Sequence, residues 1–360
     1  MLSGGAAGYG AIHSRVRVMY AGLLTPQTEA GLRDSGDLAG LLALLKHTVY
    51  GPYLAGVDDK ELTPRRTMNL IKNRIADVYL AIMHSSPVNT RSLVVQLFRH
   101  FEVDNLKAIL RGIATGSSWE QVQGVLFPLG TLGLLPAQRM LETGSIETAI
   151  AELADTPYYE ILTLAYKRYA DEKSLFALEV ALDLDYWHKL WSTAGQLPGR
   201  DRSQALRVVG LLLDLNNLMW AIRYRIYYHL SEEEIINYTL PFGYHVRDED
   251  IRSIAAGAEI GRIVERIYPG LHNVDGLLEN PERGLPKLEL QLQRRLAQQL
   301  RGFFTSYPFH IGLPLAFALL NELEVQDLTV LVEAKASQMS ANEFEPYLLM
   351  GADSGNGSGI

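Results

Sequence analysis

The sequence contains no cysteine, which excludes disulfides, zinc–thiolate centres and thiol nucleophiles. It has no basic excess either. Its 33 Lys and Arg stand against 41 Asp and Glu, a formal net charge of -8 that disfavours a phosphate-rich partner. No Gly-Lys pair occurs, so there is no GxxxxGK[ST] phosphate loop. The histidines are dispersed and none sits in an HExxH; His188 and His310 read as helix-flank or packing residues rather than ligands. The acidic pairs Asp58-Asp59 and Asp183-Leu184-Asp185 lack the DDxxD spacing of an all-α diphosphate cyclase and read as solvated charge at helix ends or loops. Gly8-Tyr9-Gly10 follows no strand, so it reads as a flexible N-terminal segment, not a dinucleotide fingerprint. No catalytic, cofactor-binding or metal-binding residue is assigned.

Long unbroken apolar runs are also missing. The start, MLSGGAAGYG, has no basic residue and no apolar run behind it, unlike a secretory signal. Gln121 to Gln138 is uncharged but holds Pro128, Pro136 and three glycines. Gly302 to Asn321 is uncharged and long enough to span a bilayer, but Pro308, Gly312 and Pro314 interrupt it. Both stretches are expected to be buried helices with lead-in turns, in a soluble cytoplasmic chain.

What is present is helical spacing. In 102–114, Val103, Leu106, Leu110 and Ile113 line one helical face, and no run of alternating β-branched residues competes with it. The fold class is therefore all-α. The chain also repeats itself. Val103-Asp-Asn-Leu106, Leu215-Asn-Asn-Leu218 and Val325-Gln-Asp-Leu328 share one pattern at offsets of 112 and 110 residues. Ser118, Ser231 and Ser340 are each followed three residues later by Gln121, Glu234 and Glu343, the spacing of a capping box. Pro128-Leu129-Gly130 corresponds to Pro241-Phe242-Gly243, and Gly36, Gly144 and Gly257 precede Tyr50, Tyr158 and Tyr268.

A period near 110 residues is the size of a small domain, not of a solenoid unit. Three homologous helical units are expected: 1–125 with an N-terminal extension, 126–240, and 241–350, followed by a flexible tail over 351–360. A head-to-tail triplication suggests a pseudo-threefold, funnel-shaped body with a central concavity. The polar pairs Asp104-Asn105, Asn216-Asn217 and Gln326-Asp327 are poor helix-interior residues, so each is expected to make a structural hydrogen bond between helices. The run Trp220 to Tyr228 interleaves bases with aromatics, but Leu218, Ile222 and Ile226 share one face, which favours core packing over nucleic acid. On the residues alone, a helical scaffold or adaptor and an all-α enzyme both stay open.

These blocks together resemble the C-subunit family of V-type/A-type ATPases, the relatives of the d subunit in eukaryotic vacuolar enzymes. The resemblance runs from Tyr9-Gly-Ala-Ile-His-Ser-Arg15-Val-Arg17 and Leu23-Leu24, through Thr48-Val-Tyr50-Gly-Pro, Val103 to Arg111 and Thr156-Pro-Tyr158, to Pro308-Phe-His-Ile-Gly-Leu-Pro and Glu322 to Leu328. It covers about residues 9 to 350 and departs from the pattern at Gln326-Asp327, where Arg-Asn is common. It implies a non-catalytic, cofactor-free part of a larger assembly, one copy per complex, peripheral on the cytoplasmic side of the membrane. Its implied partners are the proteolipid ring and the central stalk, so that ATP hydrolysis or synthesis is coupled to proton or sodium transport, with no nucleic acid and no direct nucleotide binding. The shaft-facing cavity is expected to be polar and the ring-facing end charged, with the interface residues left unassigned.

Overall fold

Punctuation in the sequence sets the helix ends. In the computed structural model, which describes residues 6–271 and 273–349, an N-terminal helix α1 (Ala6–Ala21) precedes three pairs of long helices. The first pair is α2 (Pro64–Ser85) and α3 (Val88–Thr115). Ser86 precedes Pro87, which disfavours helical backbone at Ser86 and turns the chain there. The second pair is α4 (Phe176–Gly195) and α5 (Gly199–Ile226), broken at Pro198. The third is α6 (Pro281–Arg301) and α7 (Gly312–Ala336). The described residues contain no strand, so the all-α expectation holds.

The six helices close into a cycle, each packing on the next and α7 returning to α2. α7 is apolar all round from Gly312 to Leu320 and buried throughout that stretch, as a central core helix must be. The expectation of burial for Gly302 to Asn321 is thus met once α7 begins. Gln121 to Gln138 is different: it is the end of a short helix, a loop and a single 3-10 turn, with only Val122 and Phe127 buried. Its two prolines and three glycines defeat helix formation. Among the described residues only α5 is long and apolar enough to cross a membrane, and 67% of its apolar window is buried inside the fold.

Gly8-Tyr9-Gly10 is not a flexible segment, because it lies inside α1. Tyr9 is buried and its hydroxyl donates to Asp201 at 2.6 Å, while Arg17 donates to the Phe304 carbonyl at 3.0 Å. These contacts fasten α1 to the start of α5 and to the turn of the last hairpin. The tail 351–360, expected to be flexible, lies outside the described residues.

All three capping boxes form, at Ser118, Ser231 and Ser340. Each is followed by a loop pinned to the long helix before it. Asn105 donates to the Phe127 carbonyl at 2.8 Å and accepts from its amide at 2.7 Å. Asn217 donates to the carbonyls of Leu240 and Phe242 and accepts from the Leu240 amide. Asp327 accepts from the Leu349 amide at 2.6 Å. The second residue of each pair therefore bonds helix to loop, and the expected helix-to-helix bond is found at one first residue, Gln326, which donates to Gln293 of α6 at 3.5 Å. Asn217→Ala leaves three backbone groups short of a partner, the two of Leu240 buried and the Phe242 carbonyl half-buried, so we expect a loss of ~2–3 kcal/mol in urea unfolding. Asn216→Ala should change the stability by less than about 1 kcal/mol, since Asn216 bonds only the Leu212 carbonyl of its own helix.

A second device, present in all three copies, locks each hairpin to turns and loops outside it: the first two to segments that follow them, the last to the start of the chain. Glu102, Asp214 and Glu324 occupy equivalent positions on α3, α5 and α7, and all three are buried. Glu102 accepts from the Tyr158 hydroxyl at 2.6 Å and the Leu134 amide at 2.5 Å. Glu324 accepts from the Tyr50 hydroxyl and the Leu24 amide, both at 2.6 Å. Asp214 instead accepts from the amides of Tyr244, His245 and Val246. Tyr268 lies close enough that burial first, and then this carboxylate, raise its phenol. Tyr50–Glu324 joins the start of the chain to its end, so the cycle of seams closes. We propose 1–125, 126–240 and 241–350 as three interlocking units of this kind: the short helices Leu38–Leu45, Ala137–Glu142 and Asp248–Ala255 pack on α7, α3 and α5 in turn.

Candidate functional site

The helix cycle surrounds an open cavity of about 340 Å³. The three repeated helices α3, α5 and α7 all contribute to its wall, joined by α4 and α6. Asp104, Asn216 and Gln326, the first residues of the three polar pairs, all line it. So do His100, Leu212 and Glu322, which stand four residues earlier at equivalent positions. The spacing of four residues puts both sets on one face of each helix. The opposite faces, carrying Leu106, Leu218 and Leu328, are buried in the surrounding core.

The wall is polar on two sides only. On the α3 and α4 side, the Lys107 ammonium lies between Asp183, which it contacts directly, and Asp104 at 3.7 Å. Asp183 is therefore not the solvated loop charge expected from the sequence. It projects from the middle of α4, where burial raises its carboxyl and Lys107 opposes the shift. On the α7 side, Glu322 accepts from the buried Tyr79 hydroxyl at 2.5 Å and faces His100 Nε2 at 3.4 Å. His100 Nδ1 lies 2.7 Å from the Leu97 carbonyl, which can only accept. With one ring nitrogen on a carbonyl and the other on a carboxylate, the geometry suits the imidazolium. Burial alone would lower this imidazole, but Glu322 and the Leu97 carbonyl outweigh it and hold it above its ordinary value. The third side, on α5, presents half-buried Leu212, Leu215 and Trp220 with only Asn216 between them. The cavity is thus polar on the α3 and α7 sides and largely apolar on the α5 side.

Other residues singled out in the sequence have structural tasks. Arg223 pairs with Glu289 at 2.6 Å, and Arg225 donates to the carbonyls of Ile254, Gly257 and Ala258, closing the end of helix Asp248–Ala255. The bases of the aromatic run are thus engaged within the fold. His310 is buried against Phe303, and exposed His188 packs edge-on to Phe242. Thr48 and Thr156 each cap the turn into the seam tyrosine two residues on, accepting from the amides of Tyr50 and Tyr158. Gly144 and Gly257 hold left-handed backbone at φ 63° and 100°, which explains that repeated glycine. Gly36 does not share it.

The ATP synthase (C/AC39) subunit family profile matches residues 12–347, nearly the whole described chain. The chain belongs to this family. Among family relatives, the A-type ATP synthase C subunit of Methanocaldococcus jannaschii is 24% identical over 95% of this chain and 86% of its own length. The protein of the same name from Methanococcoides burtonii is 24% identical over 94% of this chain and 93% of its own. That of Pyrococcus horikoshii is 24% identical over 92% and 88%. The likeness to these family members thus extends across all three pairs of long helices and is not confined to one of them.

Proposed function

We propose that the chain is the C subunit of a rotary A-type ATP synthase, a non-catalytic coupling part between the central stalk and the membrane proteolipid ring. The observation that carries this reading is the cavity, open, polar on two sides and walled by all three copies of the repeated helix, in a member of an ATP synthase subunit family. The foot of the shaft enters the cavity, the opposite end of the funnel-shaped body meets the ring on its cytoplasmic side, and one copy serves each complex. Torque passes only through a body that resists shear between its two interfaces. The closed helix cycle, the three loop pins and the three acid seams supply that resistance, because close-packed interiors deform little.

The test is affinity purification from detergent-solubilised membranes of the source cells. Proteolipid and central-stalk subunits should come down with the tagged chain in fixed stoichiometry. Recovery of the chain alone, in the soluble fraction, would overturn the proposal.

A further inference from the structure

The three walls of the cavity descend from one repeated helix, yet they differ chemically at equivalent positions. Along one set the residues are His100, Leu212 and Glu322; along the other, Asp104, Asn216 and Gln326. Backbone pseudo-symmetry would allow an occupant three rotational settings. Side-chain chemistry does not, because the carboxylates differ: Asp104 on the α3 wall faces solvent, the α7 wall's Glu322 is 17% exposed and already engaged by Tyr79 and His100, and the α5 wall has none. The Asp104 side chain is 67% exposed, and its salt partner Lys107 is already held by Asp183. The α5 wall offers Leu212, Leu215 and Trp220, apolar surface left only half covered.

We propose that this cavity breaks its own threefold symmetry so as to seat its occupant in a single rotational register. The occupant is a helical end with a basic side chain toward Asp104 and an apolar face against Leu212, Leu215 and Trp220. The inference rests on the reading that the shaft enters here, and it names the chemistry of the shaft's foot. A fixed register matters for a coupling part. If the shaft could settle in three settings, it would slip between them under torque. With one setting favoured, a one-third turn must separate a basic group from its carboxylate and move apolar surface onto the charged wall, so slip is opposed from both sides.

The experiment uses the purified full chain and the purified central-shaft subunit of the same complex, with binding measured at low and high salt. Asp104→Asn should weaken binding about tenfold at low salt and less at high salt, since a partly exposed charge pair is screened. The decisive variant is the double exchange Asp104→Asn with Asn216→Asp, which keeps the charge and the isosteric shape but moves the carboxylate to the equivalent place on the next wall. With one register, the double exchange binds no better than Asp104→Asn alone. If it restores the affinity of the unaltered chain, the cavity reads charge without register and the inference is overturned. Failure of the unaltered chain to bind the shaft at all would overturn the underlying functional reading instead. Because the chain has no cysteine, a second readout is direct. Asp104→Cys, Asn216→Cys and Gln326→Cys are each paired with one cysteine on the shaft's foot under mild oxidation. One register gives a disulfide at one of the three positions, and equal yields at all three would refute it.

Discussion

Glu324→Ala should destabilise the chain by about 3–5 kcal/mol in urea unfolding near neutral pH, while Glu324→Gln should cost far less. The residue is 1% exposed and receives both the Tyr50 hydroxyl and the Leu24 amide at 2.6 Å. Alanine leaves both donors buried without an acceptor. It also removes the acidic partner that offsets Arg74, whose guanidinium lies over the Tyr50 ring at 5.4 Å and whose side chain is itself buried. Deleted methylenes add a cavity term beside Leu328 and Leu331. Glutamine keeps an acceptor oxygen of nearly the same reach. Tyr50→Phe isolates one bond of the set and should cost ~1–3 kcal/mol, spanning a neutral and a charged acceptor because Glu324 has a pKa of about 7. The seam also spans 274 residues of sequence, the separation of Tyr50 from Glu324. Because it ties the first unit to the last, its loss opens the helix cycle at one place while the Glu102 and Asp214 seams stay intact. A loss for Glu324→Ala no larger than that of an exposed Glu→Ala would show that the seam does not hold the ring shut.

Much of the fold was legible in the sequence, and the reasons differ by residue. Leu106, Leu218 and Leu328 announced three copies of one buried helix, because a helical face of fixed period needs only local spacing to be seen. The serine boxes were legible because each is complete within four residues. Asn105 and Asn217 were legible as odd helix-interior choices, but not the loops they hold, since nothing at position 105 names Phe127 as its partner. The acid seams were hidden for a stronger reason. Glu102, Asp214 and Glu324 look like ordinary charged helix residues, and their partners lie in other units. Aligning the repeats would have exposed them, as an acid two residues before each polar pair. The cavity was hidden because a polar helix face reads the same whether it meets bulk water or a concavity shared by five helices. Asp183 looks like surface charge in the sequence for that reason. His100 had no sequence signal beyond membership of the repeated helix, and Trp220 stood out only as the head of an aromatic run that read as core packing, not as a cavity wall.

The same Glu324 should make stability depend on pH in a direction opposite to that of an ordinary surface carboxylate. Burial first of all raises its pKa to about 7, against the opposing pull of the Tyr50 hydroxyl, the Leu24 amide and Arg74, with Glu29 adding to the rise. An acid raised in the folded state binds its proton more tightly there than in the unfolded chain. Its contribution to stability is therefore fully present below the unfolded value, near 4.5, and is lost as pH climbs through about 7. A difference of that size corresponds to about 3 kcal/mol across the window. Other groups are shifted as well, Asp214 raised by burial and His100 raised against burial by Glu322 and the Leu97 carbonyl, so the informative quantity is the difference between the unaltered chain and Glu324→Gln, in which all the others are common. That difference should shift against the unaltered chain by about 3 kcal/mol between pH 4.5 and 8, and then level off. A difference that stays flat over this range would mean that the carboxyl is ionised in the fold at all these pH values. In that case Arg74 and the two donors, rather than burial, set its charge, and the first-to-last seam is an ion pair instead of a neutral lock.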